Sequence, residues 1–103
     1  MTYYSVLDVT PTNQDWIDDY LPVANAMIKK HGGRYLARTG DHERLEGDGS
    51  DDSENTLRIV IEWPSEDAAK AFMNEPEYQP KLEKRHANSE SNHYLIAGKD
   101  DLA

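Results

Sequence analysis

Short apolar runs alternate with polar punctuation along this chain, and the period of each run predicts an element. Residues 2–10 (TYYSVLDVT) are rich in β-branched and aromatic types and lack Gly and Pro, which predicts a strand. Alternation sends Tyr4 and Val6 to one face and Tyr3, Leu7 and Val9 to the other. Pro11 ends the strand. From Trp16 the period changes: Trp16, Tyr20, Val23, Ala24, Met27 and Ile28 recur at helical spacing. Thr12 or Asn13 offers a cap, Asp15 and Asp18 suit the positive end of the helix, and Lys29 and Lys30 suit the other end. Gly32 and Gly33 stop it. Pro22 lacks a backbone donor and is expected to kink it.

Residues 34–39 (RYLART) read as a second strand that continues irregularly over 40–47, with a bulge as one way to do so. Residues 47–56 (GDGSDDSENT) have no apolar anchor and read as a solvated acidic loop. Residues 57–63 (LRIVIEW) are the strongest strand signal, with Leu57, Ile59, Ile61 and Trp63 on one face and Arg58, Val60 and Glu62 on the other. Ser65 is a good cap for a second helix with Ala68, Ala69, Phe72 and Met73 as its stripe. Pro76 interrupts it, and 77–87 resume as a short helical piece with Tyr78 and Leu82 at i, i+4. Residues 91–98 (SNHYLIAG) are a final strand.

The order β-α-β-β-α-β predicts one α+β domain over 1–103 with a ferredoxin-like fold. Its four-stranded antiparallel sheet carries the helices on one face. The strands carry apolar groups on both faces, so the other sheet face would be bare. An uncovered apolar face of this size predicts a homodimer with the two sheets packed together.

Composition narrows the function. The chain has 11 Lys+Arg against 20 Asp+Glu, a net charge of −9. Such a surface repels phosphate backbones and anionic membranes, which argues against nucleic-acid and membrane partners. The absence of cysteine excludes disulfides, thiolate metal sites and a Cys nucleophile. No signal-peptide pattern or long apolar run is present, so the expected location is cytoplasmic.

The candidate chemistry centres on Arg38, Glu62 and His31. Arg38 and Glu62 lie on neighbouring strands. If the register brings them to one face, they form either a site for a carboxylate or enolate, with Glu62 or His31 moving a proton, or an ion pair that fixes the register. His31 also reads as a cation at a helix C-terminus. Tyr35, Trp63 and Tyr78 are candidates to line an aromatic pocket, with Arg85 either at its mouth or on the solvated surface; Trp63 also reads as core. His42, His86 and His93 show no ligand spacing, so neither a metal nor another cofactor is expected. Gly47 to Asp52 faintly resembles a calcium loop but lacks its spacing and terminal Glu. No nucleotide-binding glycine motif and no nucleophile elbow occur.

Taken in order, His31–Leu36 (HGGRYL) with Arg38, Leu45-Glu46-Gly47, Ile61–Ser65 (IEWPS), Pro76–Gln79 (PEYQ) and Arg85 resemble the DUF1330 family over nearly the whole chain. Trp63 stands where that family usually has Phe, and the acidic insertion 49–55 is longer than expected. The resemblance implies a ferredoxin-like subunit of a dimeric α/β barrel and no established activity. Dimeric α/β barrels include cofactor-free monooxygenases, isomerases, haem-handling proteins and stress-induced proteins. Three readings follow: a cofactor-independent isomerase or oxygenase of a small organic molecule, a non-catalytic small-ligand-binding or stress-associated homodimer, and an acidic interaction module acting through residues 48–54.

Overall fold

Seven elements form in the order β1 (Tyr3–Pro11), α1 (Ile17–Lys30), β2 (Arg34–Thr39), β3 (Leu57–Trp63), α2 (Glu66–Met73), α3 (Gln79–Ala87) and β4 (Ser89–Ala97). They are taken from a computed structural model that describes residues 1–49 and 53–103. The strands form one antiparallel sheet in the order β2-β3-β1-β4. This is the predicted ferredoxin-like α+β arrangement, with Pro76 separating α2 from the short helix α3. Residues 50–52, in the acidic stretch and faint calcium-loop pattern, lie outside the described residues. Among the described residues, no helix is long and apolar enough to cross a membrane.

Local chemistry explains the boundaries. The Ser65 hydroxyl accepts from the Ala68 amide at 3.1 Å, a side-chain N-cap for α2. The start of α1 differs from expectation: the helix begins at Ile17, and no side chain caps it. Asn13 instead organises the turn before it, its Oδ1 accepting from the Asp15 amide and its carbonyl from Trp16 Nε1. At the other end, Gly32 N donates to Lys29 O and Gly33 N to Ile28 O. These are the paired bonds of a Schellman stop, with Gly32 left-handed at φ 79°. A Cβ at Gly33 would lie 2.6 Å from the Trp63 ring, so only glycine lets β2 start this close to the core.

Sheet register sorts the side chains into two sets. Toward the helices run the rows Tyr35–Ile61–Ser5–Leu95 and Arg38–Ile59–Leu7–His93. The core lies on this side: Leu7, Val9, Ile61 and Trp63 from the sheet meet Ala24, Ile28, Phe72 and Tyr78. Toward the open side run Ala37–Val60–Val6–Tyr94 and Arg34–Glu62–Tyr4–Ile96. Val6, Tyr94, Ile96 and Leu36 are all exposed. The open face thus carries the apolar residues that alternation predicted.

One irregularity matters for the site. The β2–β3 register shifts between Tyr35 and Ala37, so Arg38 lies opposite Ile59 rather than Arg58. This is a β-bulge, one extra residue on one strand. The irregularity expected after residue 40 therefore lies inside β2, and the strand ends at Thr39.

Candidate functional site

A cleft opens between the helix-facing side of the sheet and helices α1, α2 and α3. It offers about 60 Å³ to the centres of water-sized spheres. One water needs ~10–15 Å³ by that measure, so the cleft holds a handful of waters or one single-ring molecule. Its walls are apolar and aromatic, from Leu7, Ile59 and Ile61 on the sheet to Trp16 and Phe72 on the helix side. Tyr20, Tyr35, Tyr78, Arg38, Arg85 and His93 supply its polar groups.

Arg85 is the least ordinary of these. It sits on α3, is only 4% exposed and makes no ion pair among the described residues. Its Nη1 donates to Tyr20 Oη at 3.1 Å and to Tyr78 Oη at 3.3 Å. The two phenols also bond each other at 2.6 Å. Its Nε–H is buried without a partner among the described residues. Tyr78 precedes α3 and is fully buried, its ring 4.3 Å from that of Phe72. Burial, with Tyr20 adding to it, holds the Tyr78 hydroxyl far above the usual phenol range. It therefore stays protonated and acts as a hydrogen-bonding group rather than a base.

On the opposite wall, His93 Nε2 lies 2.8 Å from Ser5 Oγ, which also accepts from Trp63 Nε1 at 2.8 Å. Ser5 is fully buried, and either Ser5 Oγ–H or His93 Nε2–H donates in this bond, according to the tautomer of the ring. Burial first, and the charge of Arg85 second, push His93 down to about 4. Its ring also borders an outer hollow formed with Ala69, Lys70, Met73 and Leu95.

The structure separates the residues singled out from sequence. Arg38 reaches the cleft mouth, its guanidinium 3.9 Å above the Tyr35 ring and its Nη1 donating to Asn25 Oδ1 at 2.8 Å. Glu62 is on the other side of the sheet, where its Oε1 accepts from Arg34 Nε at 2.7 Å. The Arg38–Glu62 pair is therefore not formed: Glu62 lies opposite Arg34, four residues along β2 from Arg38, and the bulge also turns Arg38 to the other face. His31 is also away from the cleft and bonds Glu75 at 2.9 Å, beside a Lys30–Glu75 pair. Trp63 is fully buried core rather than cleft wall. Tyr35, Tyr78 and Arg85 do line the cleft, with Arg85 buried in its wall rather than placed at its mouth. Tyr20 and His93 were missed as site residues. Tyr20 read as one more member of the α1 stripe. His93 carried a signal that went unused, a titratable side chain alternating with Leu95 on the inward face of β4.

Comparison with solved structures shows the fold more widely. SnoaB from Streptomyces nogalater, a cofactor-independent oxygenase, is 19% identical with a TM-score of 0.67, the alignment covering 98% of this chain and 96% of SnoaB. RPA0582 from Rhodopseudomonas palustris, a protein of unknown function, is 14% identical with a TM-score of 0.73, over 95% of this chain and 83% of that one. A Bacteroides thetaiotaomicron protein of unknown function, described as a possible oxidoreductase, is 9% identical with a TM-score of 0.62, over 92% and 95%. No curated protein matches the sequence. Residues 2–99 match the family described as "Domain of unknown function (DUF1330)". The chain belongs to the DUF1330 family.

Proposed function

We propose that this protein is a cofactor-independent enzyme, of isomerase or oxygenase type, acting on a small organic molecule in the sheet–helix cleft. The observation that carries this reading is convergence. In an otherwise apolar cavity, Arg85 and two phenols meet within 3.3 Å, and a neutral imidazole faces the same space. A pocket serving only to hold an apolar ligand needs none of these groups.

Both reaction types begin when the substrate loses a proton to leave a delocalised anion. His93 is the available acceptor: it is neutral at pH 7, and with Nε2–H donating to Ser5 Oγ its Nδ1 lone pair is free. A bound anion beside Arg85 offsets the charge that depresses the imidazole, which raises its basicity once the site is occupied. The outer hollow gives His93 a separate exchange route to solvent. Arg85 stabilises the anion in a site of low dielectric. Arg38, stacked on Tyr35, closes the mouth. The fold of a cofactor-independent oxygenase supports the reading as analogy.

The test is a thermal-shift screen of small aromatic and alicyclic metabolites against wild type and Leu7→Trp, which fills the cleft. Compounds that stabilise only the wild type are then followed for conversion with and without oxygen. Conversion that disappears in His93→Gln supports the enzyme reading. Binding without conversion overturns it in favour of a ligand-binding protein, and stabilisation retained in Leu7→Trp moves the site elsewhere.

The open face of the sheet supports a companion proposal, a homodimer packed through the band Ala37–Val60–Val6–Tyr94. Charged rows flank this band, with Glu62 against Arg34 on one side and Asp8 near Arg58 on the other. A monomeric mass in solution at micromolar concentration refutes it.

A further inference from the structure

We propose that the cleft is built to receive a carboxylate carried on a single apolar ring, gripped by the free edge of Arg85. This rests on reading the cleft as a small-molecule site and adds the charge and chemical class of its occupant.

The first argument is a count of hydrogens. Arg85 Nη1 uses its two hydrogens on Tyr20 and Tyr78. One of those phenols donates to the other, which leaves the second with a free O–H. Nε–H has no acceptor, and Nη2 makes no hydrogen bond among the described residues. The polar groups left over around Arg85 are thus donors, and the missing partner is an acceptor.

The second argument is geometric. The free groups are Nε and Nη2, the two that lie side by side along one edge of a guanidinium. That edge matches the two oxygens of a carboxylate, the bidentate pairing for which arginine is suited. The bonds to the tyrosines hold the plane of the guanidinium and leave this edge unused. Nε is sealed from water, so engaging both nitrogens requires a small rotation of the Arg85 side chain as the ligand enters.

The third argument is charge. Acidic residues outnumber basic ones by 20 to 11 in the chain, yet the cleft is lined by two arginines, one histidine and no carboxylate. A guanidinium that served only to brace two phenols would sit in the wall as an uncompensated buried charge, an arrangement that costs several kcal/mol. A carboxylate supplies the compensation. The aromatic walls, Phe72 and the two tyrosines, together with space for about one ring, set the body that carries it.

The test uses benzoate, its neutral isostere benzamide, and benzylammonium, with affinities read by ligand-detected NMR and thermal shift on the full chain. Benzoate is expected to bind at least ~10-fold more tightly than the other two, about one hydrogen-bonded charge in strength. Arg85→Met should remove that preference and leave benzamide unchanged, whereas Arg38→Met should retain most of it. Arg85→Lys keeps the charge without the fork, and it stands in if the Met variant does not fold; it should lose most of the preference. Equal binding of benzoate and benzamide overturns the carboxylate while leaving a small-molecule cleft in place. No binding by any of the three removes both readings. Loss of preference in Arg38→Met but not at Arg85 overturns the assignment of the grip.

Discussion

Ser5→Ala tests whether the wall behind His93 is held as described. Ser5 and Trp63 are both fully buried, and the serine oxygen is the acceptor for Trp63 Nε1–H. Without it the indole N–H remains in a dry core with no partner, at a cost of about 1–3 kcal/mol. His93 Nε2 loses its partner too, but the ring borders two openings, so its share is smaller. The expected loss is about 2–3 kcal/mol. For a domain of this size each kcal/mol lowers Tm by roughly 4–8 °C, giving a drop of ~10–20 °C. Urea unfolding followed by circular dichroism gives the free energy, and the same substitution in a Trp63→Phe background completes a double-mutant cycle. With the indole N–H already gone, Ser5→Ala should cost less than about 1 kcal/mol. An equal cost in both backgrounds, or a single-variant loss below ~0.5 kcal/mol, refutes the bond as the structural link.

His93 gives a pH signature. Its folded value, about 4, lies below the ordinary 6.5, so the unfolded chain binds the extra proton first. Stability should therefore fall as pH drops from 6.5 toward 4, with no further contribution from this residue below that range. The full shift is worth about 3 kcal/mol, reduced to ~2 because the ring retains some contact with water. His93→Gln should flatten that window in pH-dependent denaturation, and an unchanged slope counts against a neutral buried imidazole. Gly33→Ala should cost about 2–3 kcal/mol, since its Cβ would meet Trp63 at 2.6 Å and Ile28 Cγ2 at 2.9 Å, both in the core; a loss under ~1 kcal/mol would show that the ring can move aside. Arg85→Met should leave the ligand-free protein as stable or more stable, because it removes a buried charge with no counter-charge; strong destabilisation would make Arg85 a structural brace. Val6→Asp together with Tyr94→Glu should yield a monomer by light scattering if the open face joins two copies, and an unchanged mass would place any contact elsewhere.

Most of the fold was legible because it rests on local rules. Apolar alternation set the strand faces, and Gly32, Gly33, Ser65 and Pro76 marked where elements stop or start. The beginning of α1 was less legible, since Asn13 serves the preceding turn equally well. The site was only half visible. Tyr35, Tyr78 and Arg85 were picked out, but nothing local says that a guanidinium on α3 will be buried against a phenol from α1. That contact joins residues 65 positions apart. Arg38 and Glu62 lie on neighbouring strands, but the register that sets Glu62 opposite Arg34 comes from tertiary pairing, and the bulge that turns Arg38 inward has no local signal. His93 was set aside because it lacks a metal-ligand partner, although its inward position in β4 was already implied by the alternation around it.

The bulge in β2 turns sidedness into a matter of counting. In a regular strand Arg34 and Arg38, four residues apart, point the same way. Here the extra residue, Leu36, puts Arg34 opposite Glu62 on the open face and Arg38 at the cleft mouth. Deleting Leu36 would leave both arginines opposite their present partners, Glu62 and Ile59, three residues apart in a regular strand, so Arg38 would stay at the cleft. Straightening β2 without losing a residue would instead set Arg38 opposite Arg58 and carry it onto the open face. The face on which this charge emerges is therefore set by whether Leu36 is looped out, and not by its distance in sequence from Arg34.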